Sequence, residues 1–283
     1  MATISAADVK RLREKTGAGM MECKNALVET DGDFDKAEKL LKEKGLAAVE
    51  KRSNRATNEG KVFIKTKDNT AVLVELAAET DFVARNPEFI ALGGAIADRV
   101  LEKGYTSVNE ELSGMVTDLA TKIRENMGLK RMQLIKAEAN EGLAEYIHGE
   151  GSIGVVVKLA VDKPELLAQE AFKELAHGLA MHIAWANPLV IDRNQLDAAF
   201  IAEQEEIFRK QMEADENLKG KPAAALDNIL KGKISKYLKS LCLLDQGYVK
   251  DEKRAVAQIL ADCGKELGAT LTISGYVYFK VGQ

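Results

Sequence analysis

The sequence predicts an α+β protein: an N-terminal three-helix module, a core of two small antiparallel sheets flanked by helices, and a helical-hairpin, coiled-coil-like arm. Three observations carry this expectation. The first fifty residues hold three short apolar-periodic segments bounded by capping residues and glycines. The middle of the chain mixes β-branched runs with amphipathic helices. Finally, large apolar side chains recur at helical spacing on both sides of Gly220-Lys221-Pro222.

In the first segment, Ser5 pairs with Asp8 as a variant capping box, Val9 and Leu12 share the inner face, and Gly17 ends the helix. Ala18-Gly19-Met20-Met21 reads as a small, flexible turn into a helix carrying Cys23, Ala26 and Leu27. Asp31-Gly32 closes that helix. Asp33 opens a third, with Phe34, Ala37, Leu40 and Leu41 at helical spacing. One of Met20 and Met21 is expected to pack inward and the other to stay near the surface, where methionine suits adaptable binding. Lys51 to Gly60 is polar and unpatterned, a linker.

Val62-Phe63-Ile64 and Val72 to Ala77 flank Lys67-Asp68-Asn69, a hairpin connection. Helices are expected from Pro87 to Lys103, stopped by Gly104, and from Asn109 to Met127. Lys130 to Ala137 returns as a strand. Strands follow over Gly142–His148 and Ile153–Val161, then one helix from Pro164 to Ala186, stopped by Asn187-Pro188. In the arm, Leu196, Phe200, Ile207 and Met212 mark one helix. Leu226, Leu230, Ile234, Leu238 and Leu241 mark the other. A last helix, Lys253 to Leu267, precedes a β-rich tail that joins the second sheet. The expected divisions are residues 1–52, a three-helix binding module; 53–140, the first half of the core; 141–191 with 242–283, its second half; and 192–241, the arm.

At 283 residues the chain can hold two or more cores. Its net charge of −4, spread over mixed acids and bases, argues against direct nucleic-acid binding. Cys23, Cys242 and Cys263 form no CxxC pair, so no disulfide framework or zinc site is signalled. Met1 to Lys10 has no apolar signal core and no run of eighteen apolar residues occurs, so the expectation is a soluble, cytoplasmic protein with no membrane partner.

Gly149, Gly151 and Gly154 spell GxGxxG, but Val155-Val156-Val157 follows as a strand, not the helix a dinucleotide site needs. No phosphate loop, GxSxG, HExxH or EF-hand sequence is present. His177 and His182 are five residues apart, which separates them around a helix, and His182 reads as a packed, hydrogen-bonded residue. No cofactor, metal or catalytic residue is therefore expected. An enzyme whose groups converge from distant positions, and a scaffold or chaperone-like binding module, both stay open at this point.

Thr80-Asp81-Phe82-Val83 lies between the strand ending near Ala77 and Asn86-Pro87-Glu88, a helix start with a capping asparagine and proline at its first position. The plainer reading has Phe82 and Val83 finishing the core under that helix. The sharper one leaves them in a stiff connection available for contact.

An ordered set of residues decides between these. It comprises Leu12-Arg13, Thr16 to Lys24, Ala26-Leu27, Asp31-Gly32-Asp33, Thr80 to Ala84, Lys122-Ile123, Glu125-Asn126 and Arg131. It continues with Tyr146, His148-Gly149, Ile153-Gly154-Val155, Ala180 to Ala184, Pro188, Leu243-Leu244, Gln246, Val249-Lys250-Asp251, Phe279 and Val281-Gly282. Over essentially its full length the chain resembles the bacterial translation elongation factor Ts family, the guanine-nucleotide exchange factors for elongation factor Tu. Gly247 and Arg124 depart from the family's frequent proline and glycine. The resemblance implies binding to elongation factor Tu with GDP bound or without nucleotide. It implies a magnesium-displacing role on the partner for Thr80, Asp81, Phe82 and Val83. It further implies partner contacts from Arg13, Met20, Met21, Lys24 and His148. A homodimer through the arm is a further expectation.

Overall fold

The computed structural model describes residues 4–283. The start of the expected first module, Met1–Thr3, lies outside the described residues. Two compact units form. The first takes the chain to Ile135, with Ile147–Gly154 and Phe279–Gln283; the second takes Lys136–Tyr146 and Val155–Tyr278.

The first unit begins with α1 (Ala6–Thr16), α2 (Met20–Glu29) and α3 (Phe34–Arg52). Ser5 and Asp8 form the capping box, and Gly17 ends α1 in the left-handed region, its N–H on the Arg13 carbonyl at 2.7 Å. Leu12, Cys23, Ala26, Leu27 and Ala37 make the small core. Two boundaries differ from expectation. Met20 and Met21 belong to α2 and not to the turn before it, because the Glu22 carboxylate accepts the Gly19 N–H at 2.9 Å and fixes the helix start. The linker shrinks to residues 53–58, because α3 continues to Arg52 along α6 (Glu110–Ile123), where the Thr121 methyl lies against Gly45.

β1 (Glu59–Lys67) and β2 (Thr70–Ala78) pair antiparallel around Asp68-Asn69, with Asp68 at φ 53° as a two-residue hairpin prefers. α4 (Asp81–Ala84), α5 (Pro87–Lys103), α6 and β3 (Met127–Lys136) complete the unit, with sheet order β1-β2-β3. Phe89, Ile96, Val100, Leu112 and Val116 pack on Val72, Val74 and Leu76. α6 stops at Ile123, four residues short of the expected Met127, because Arg124 turns left-handed at φ 69° and Met127 starts β3.

One acid is buried in this sheet. Glu75, 2% exposed, receives Arg131 Nε at 2.6 Å and the Gly282 N–H at 3.0 Å. Arg131 also stacks its guanidinium 4.3 Å from the centre of the Phe279 ring and donates to the Lys280 carbonyl at 2.9 Å. Chain from residues 279–283 thus closes over a charge laid down far earlier.

The second unit holds most of a sheet of order β4 (Glu141–His148), β5 (Ile153–Val161), β8 (Leu271–Lys280), so the β-rich tail joins it as one strand. Gly149–Gly151 forms a short 3₁₀ turn into β5, leaving the glycine pattern as a strand connection. The expected helix from Pro164 is interrupted. Gln169 takes extended backbone (φ −71°, ψ 141°), so a 3₁₀ turn over Pro164–Ala168 precedes α7 (Glu170–Ala186). The arm comprises α8 (Ala198–Ala214) and α9 (Ala223–Leu241), sealed by Met212, Leu218, Leu230, Ile234 and Leu238. Ile207, expected in that seam, faces outward; Ile201 and Phe208 take its place, with Phe208 edge-on to Tyr237 at 5.5 Å. A two-stranded ribbon, β6 (Gly247–Tyr248) with β7 (Asp251–Ala255), delays the last helix, so α10 spans Val256–Leu267 and not Lys253–Leu267.

His182 on α7 is fully buried. Its Nδ1 accepts the Val249 N–H at 3.1 Å, which leaves Nε2 to donate to Gln246 Oε1 at 3.0 Å. Burial holds its pKa below the ordinary 6.5, against a smaller upward pull from the Gln246 hydrogen bond. A depressed folded pKa means that the unfolded chain takes the proton first. The stabilisation is whole above pH 6.5 and is lost as pH falls from there through the folded value. Thermal unfolding should therefore show a midpoint that drops below pH 6.5 in the wild type, with a shallower drop in His182→Gln. Identical slopes would mean that His182 does not titrate in that window.

Candidate functional site

Thr80 caps the single turn of α4: its Oγ1 accepts the Val83 N–H at 3.4 Å and donates to the Glu125 carboxylate at 3.0 Å. Successive residues on a helical turn point about 100° apart, so one turn cannot bury every side chain. Val83 and Ala84 go into the core cluster, and Phe82 is left 82% exposed. The core reading therefore holds for Val83 and fails for Phe82. Asp81 is partly exposed and pairs with Arg85 at 3.6 Å.

Several bonds stiffen this turn. Glu79 accepts the Asn126 N–H at 2.6 Å and pairs with Arg55 at 3.3 Å. The Asn126 hydrogen bond, then Arg55, hold the Glu79 carboxyl below the usual carboxylate range. The Asn126 side chain donates to the Ser53 and Arg55 carbonyls at 3.1 and 2.7 Å. Beyond the turn, Asn86 Oδ1 caps α5 through the Glu88 N–H at 2.8 Å. Leaving a phenylalanine in water forgoes roughly 1.5–3 kcal/mol of burial, which docking against an apolar surface would recover.

Both methionines of α2 are exposed, Met20 at 44% and Met21 at 64%, contrary to the expectation that one packs inward. Cys23, Ala26 and Leu27 already fill the inner face. Arg13 and Lys24 are exposed as well. Val28, outside the set that the resemblance implies, is exposed and lies one and two turns beyond Lys24 and Met21 on the same stripe. Counting i+3 and i+7 from Met21 would have found it. His148 ends β4 beside exposed Ile147, and its carbonyl accepts from Ser152 Oγ at 3.1 Å. All these candidate residues, from Arg13 to His148, belong to the first unit.

The chemistry offered is contact chemistry: a presented aromatic ring, two thioethers and cationic side chains. Cys23 and Cys242 are buried, and burial pushes the Cys242 and Cys263 thiols up, away from the reactive thiolate. Among the described residues no group of three or more His, Cys, Asp or Glu is placed to hold a metal, and no helix is long and apolar enough to cross a membrane.

The family model described as Elongation factor TS matches residues 79–283. Elongation factor Ts of Treponema denticola is 48% identical over 279 residues, covering 99% of this chain and 98% of the relative. The Treponema pallidum protein of the same name is 41% identical over 290 residues, with 99% of each chain covered. That of Nitratidesulfovibrio vulgaris is 38% identical over 282 residues, covering 99% of this chain and 96% of the relative. These likenesses define a translation elongation factor, and the α+β fold of small antiparallel sheets flanked by helices agrees with them. The chain belongs to the elongation factor Ts family.

Proposed function

We propose that this protein is a cytoplasmic guanine-nucleotide exchange factor that binds elongation factor Tu and promotes GDP release without covalent chemistry. The observation that carries the reading is Phe82, a large apolar side chain held in water on a turn braced from both ends. In the family the Asp-Phe pair that matches Asp81 and Phe82 intrudes between helices of the GTPase and disturbs its magnesium and phosphate site. Magnesium bridges phosphate oxygens and protein ligands, so shifting its supports weakens the nucleotide without breaking any bond in it. Thr80 and Val83 serve this step from within, as cap and core anchor. Arg13, Met20, Met21 and Lys24, on a binding module of residues 1–52, would grip the same GTPase domain, and His148 a second one. Residues 53–140 would carry the wedge, and 141–191 with 242–283 the other half of the core. The seam of the arm, residues 192–241, is covered by its own two helices, so this reading needs no second copy there.

Binding and release are linked reciprocally. If this protein loosens GDP by some factor, GDP loosens this protein by the same factor, and the cycle needs no fuel of its own. Sub-stoichiometric protein should accelerate release of fluorescent GDP from purified elongation factor Tu. Unchanged release at any concentration sinks the proposal; tight binding with an unchanged off-rate would favour a scaffold role.

A further inference from the structure

Three consecutive residues reach both parts of the candidate contact surface. Arg124 caps α6 with left-handed backbone (φ 69°, ψ 24°), a conformation that glycine adopts freely and arginine rarely does. Its guanidinium pairs with the Glu22 carboxylate, which also accepts the Gly19 N–H at the start of α2, immediately beside Met20 and Met21. Glu125 accepts from Thr80 Oγ1, the cap of the turn that carries Phe82. Asn126 donates its N–H to Glu79 just before that turn and its side chain to residues 53 and 55. Two residues before Arg124, Lys122 pairs with Glu88 at 2.5 Å, and its stem lies against Gly17.

The Arg124–Glu22 pair is about half exposed, so water and salt screen it and it adds little to stability. An arginine in left-handed backbone, joined to a weakly stabilising ion pair, gives the fold little reason to use it. What the pair does accomplish is to tie α2 to the same short connection that holds the Phe82 turn. We propose that Arg124-Glu125-Asn126 is a bracket that sets the separation of Met20 and Met21 from Phe82, with Arg124 as a positioning residue for exchange. This rests on the exchange-factor reading and extends it: the two-point grip works only while both points keep a fixed spacing. A protein partner held at α2 then receives the ring of Phe82 at one place.

Arg124→Gly tests this, because it suits the left-handed backbone and removes only the side chain. The variant should melt no lower than the wild type. In exchange assays the concentration of elongation factor Tu–GDP at half-maximal rate should rise about 5- to 10-fold, with the maximal rate nearly kept. Glu22→Gln, whose amide oxygen can still accept the Gly19 N–H but carries no charge for Arg124, should behave in the same way. A second readout needs no partner. In a Cys263→Ser background, spin labels at Lys24→Cys and Ala91→Cys should give a narrow distance distribution that broadens with Arg124→Gly. An unbroadened distribution, or a folded Arg124→Gly protein with wild-type half-saturation, overturns the bracket. A broadened distribution in a protein whose wild type releases no GDP upholds the bracket and overturns the exchange function instead.

Discussion

Phe82→Ala is expected to slow catalysed GDP release by roughly 10- to 100-fold, the equivalent of the 1.5–3 kcal/mol that burying a phenylalanine returns. Its thermal midpoint should not move. The side chain is 82% exposed, and truncation of a surface residue away from caps and buried networks usually changes stability by less than about 0.5 kcal/mol. The contrast with its neighbour is the discriminating part. Val83 sits in the core cluster, so Val83→Ala should cost stability through lost packing and affect exchange only as the turn loosens. Full-rate exchange by folded Phe82→Ala would show that the ring is not a wedge. A large fall in its melting temperature would show that it is not free of the core.

The second large effect is on stability. Arg131→Ala should destabilise the first unit by about 2–4 kcal/mol, read by denaturant unfolding. Breaking a buried pair leaves a charge in low dielectric at a cost near 3–5 kcal/mol; the lower range allows for the one-third exposure of Arg131 and the Gly282 N–H that Glu75 retains. Glu75→Gln with Arg131→Ala should recover part of the loss, because the amide needs no counter-charge. A loss below about 0.5 kcal/mol for the single variant would mean that water, not Arg131, solvates the acid.

Much of this architecture could be read from local pattern because local chemistry decides it. Ser5 and Asp8, Asn86 with Pro87, and the glycines at 17 and 104 act within one helical turn, and they set helix ends where the sequence places them. The misses are places where distant parts of the chain decide. α6 ends at Arg124 through a left-handed backbone that no residue preference for arginine would suggest. Asp251–Ala255 becomes strand only because Gly247–Tyr248 is there to pair with it. The seam of α8 shifts by one residue, from Ile207 to Phe208, because Tyr237 on α9 supplies the edge that the ring packs on. The candidate site divides in the same way. Sequence pattern alone favours a buried Phe82, and the exposure of the ring overturns that buried reading. The exposure of both Met20 and Met21 followed from which three residues fill the inner face of α2, a matter of packing that no pairwise spacing states.

The closure of residues 279–283 over Glu75 has a consequence for how the chain is made. Glu75 and Gly282 are 207 positions apart, whereas Arg131 follows Glu75 by 56. At translation speeds of about 5–20 residues per second, Gly282 is polymerised some 10–40 seconds after the acid it will cover. Closure entropy grows only slowly with loop length, about 0.6 kcal/mol per doubling, so the step from 56 to 207 positions adds only about 1 kcal/mol and the larger difference between the two contacts is one of time. For the later part of that interval, once Arg131 has been made, the nascent sheet holds its acid on the arginine alone, and the unit that presents Phe82 waits for residues 279–283 to complete it.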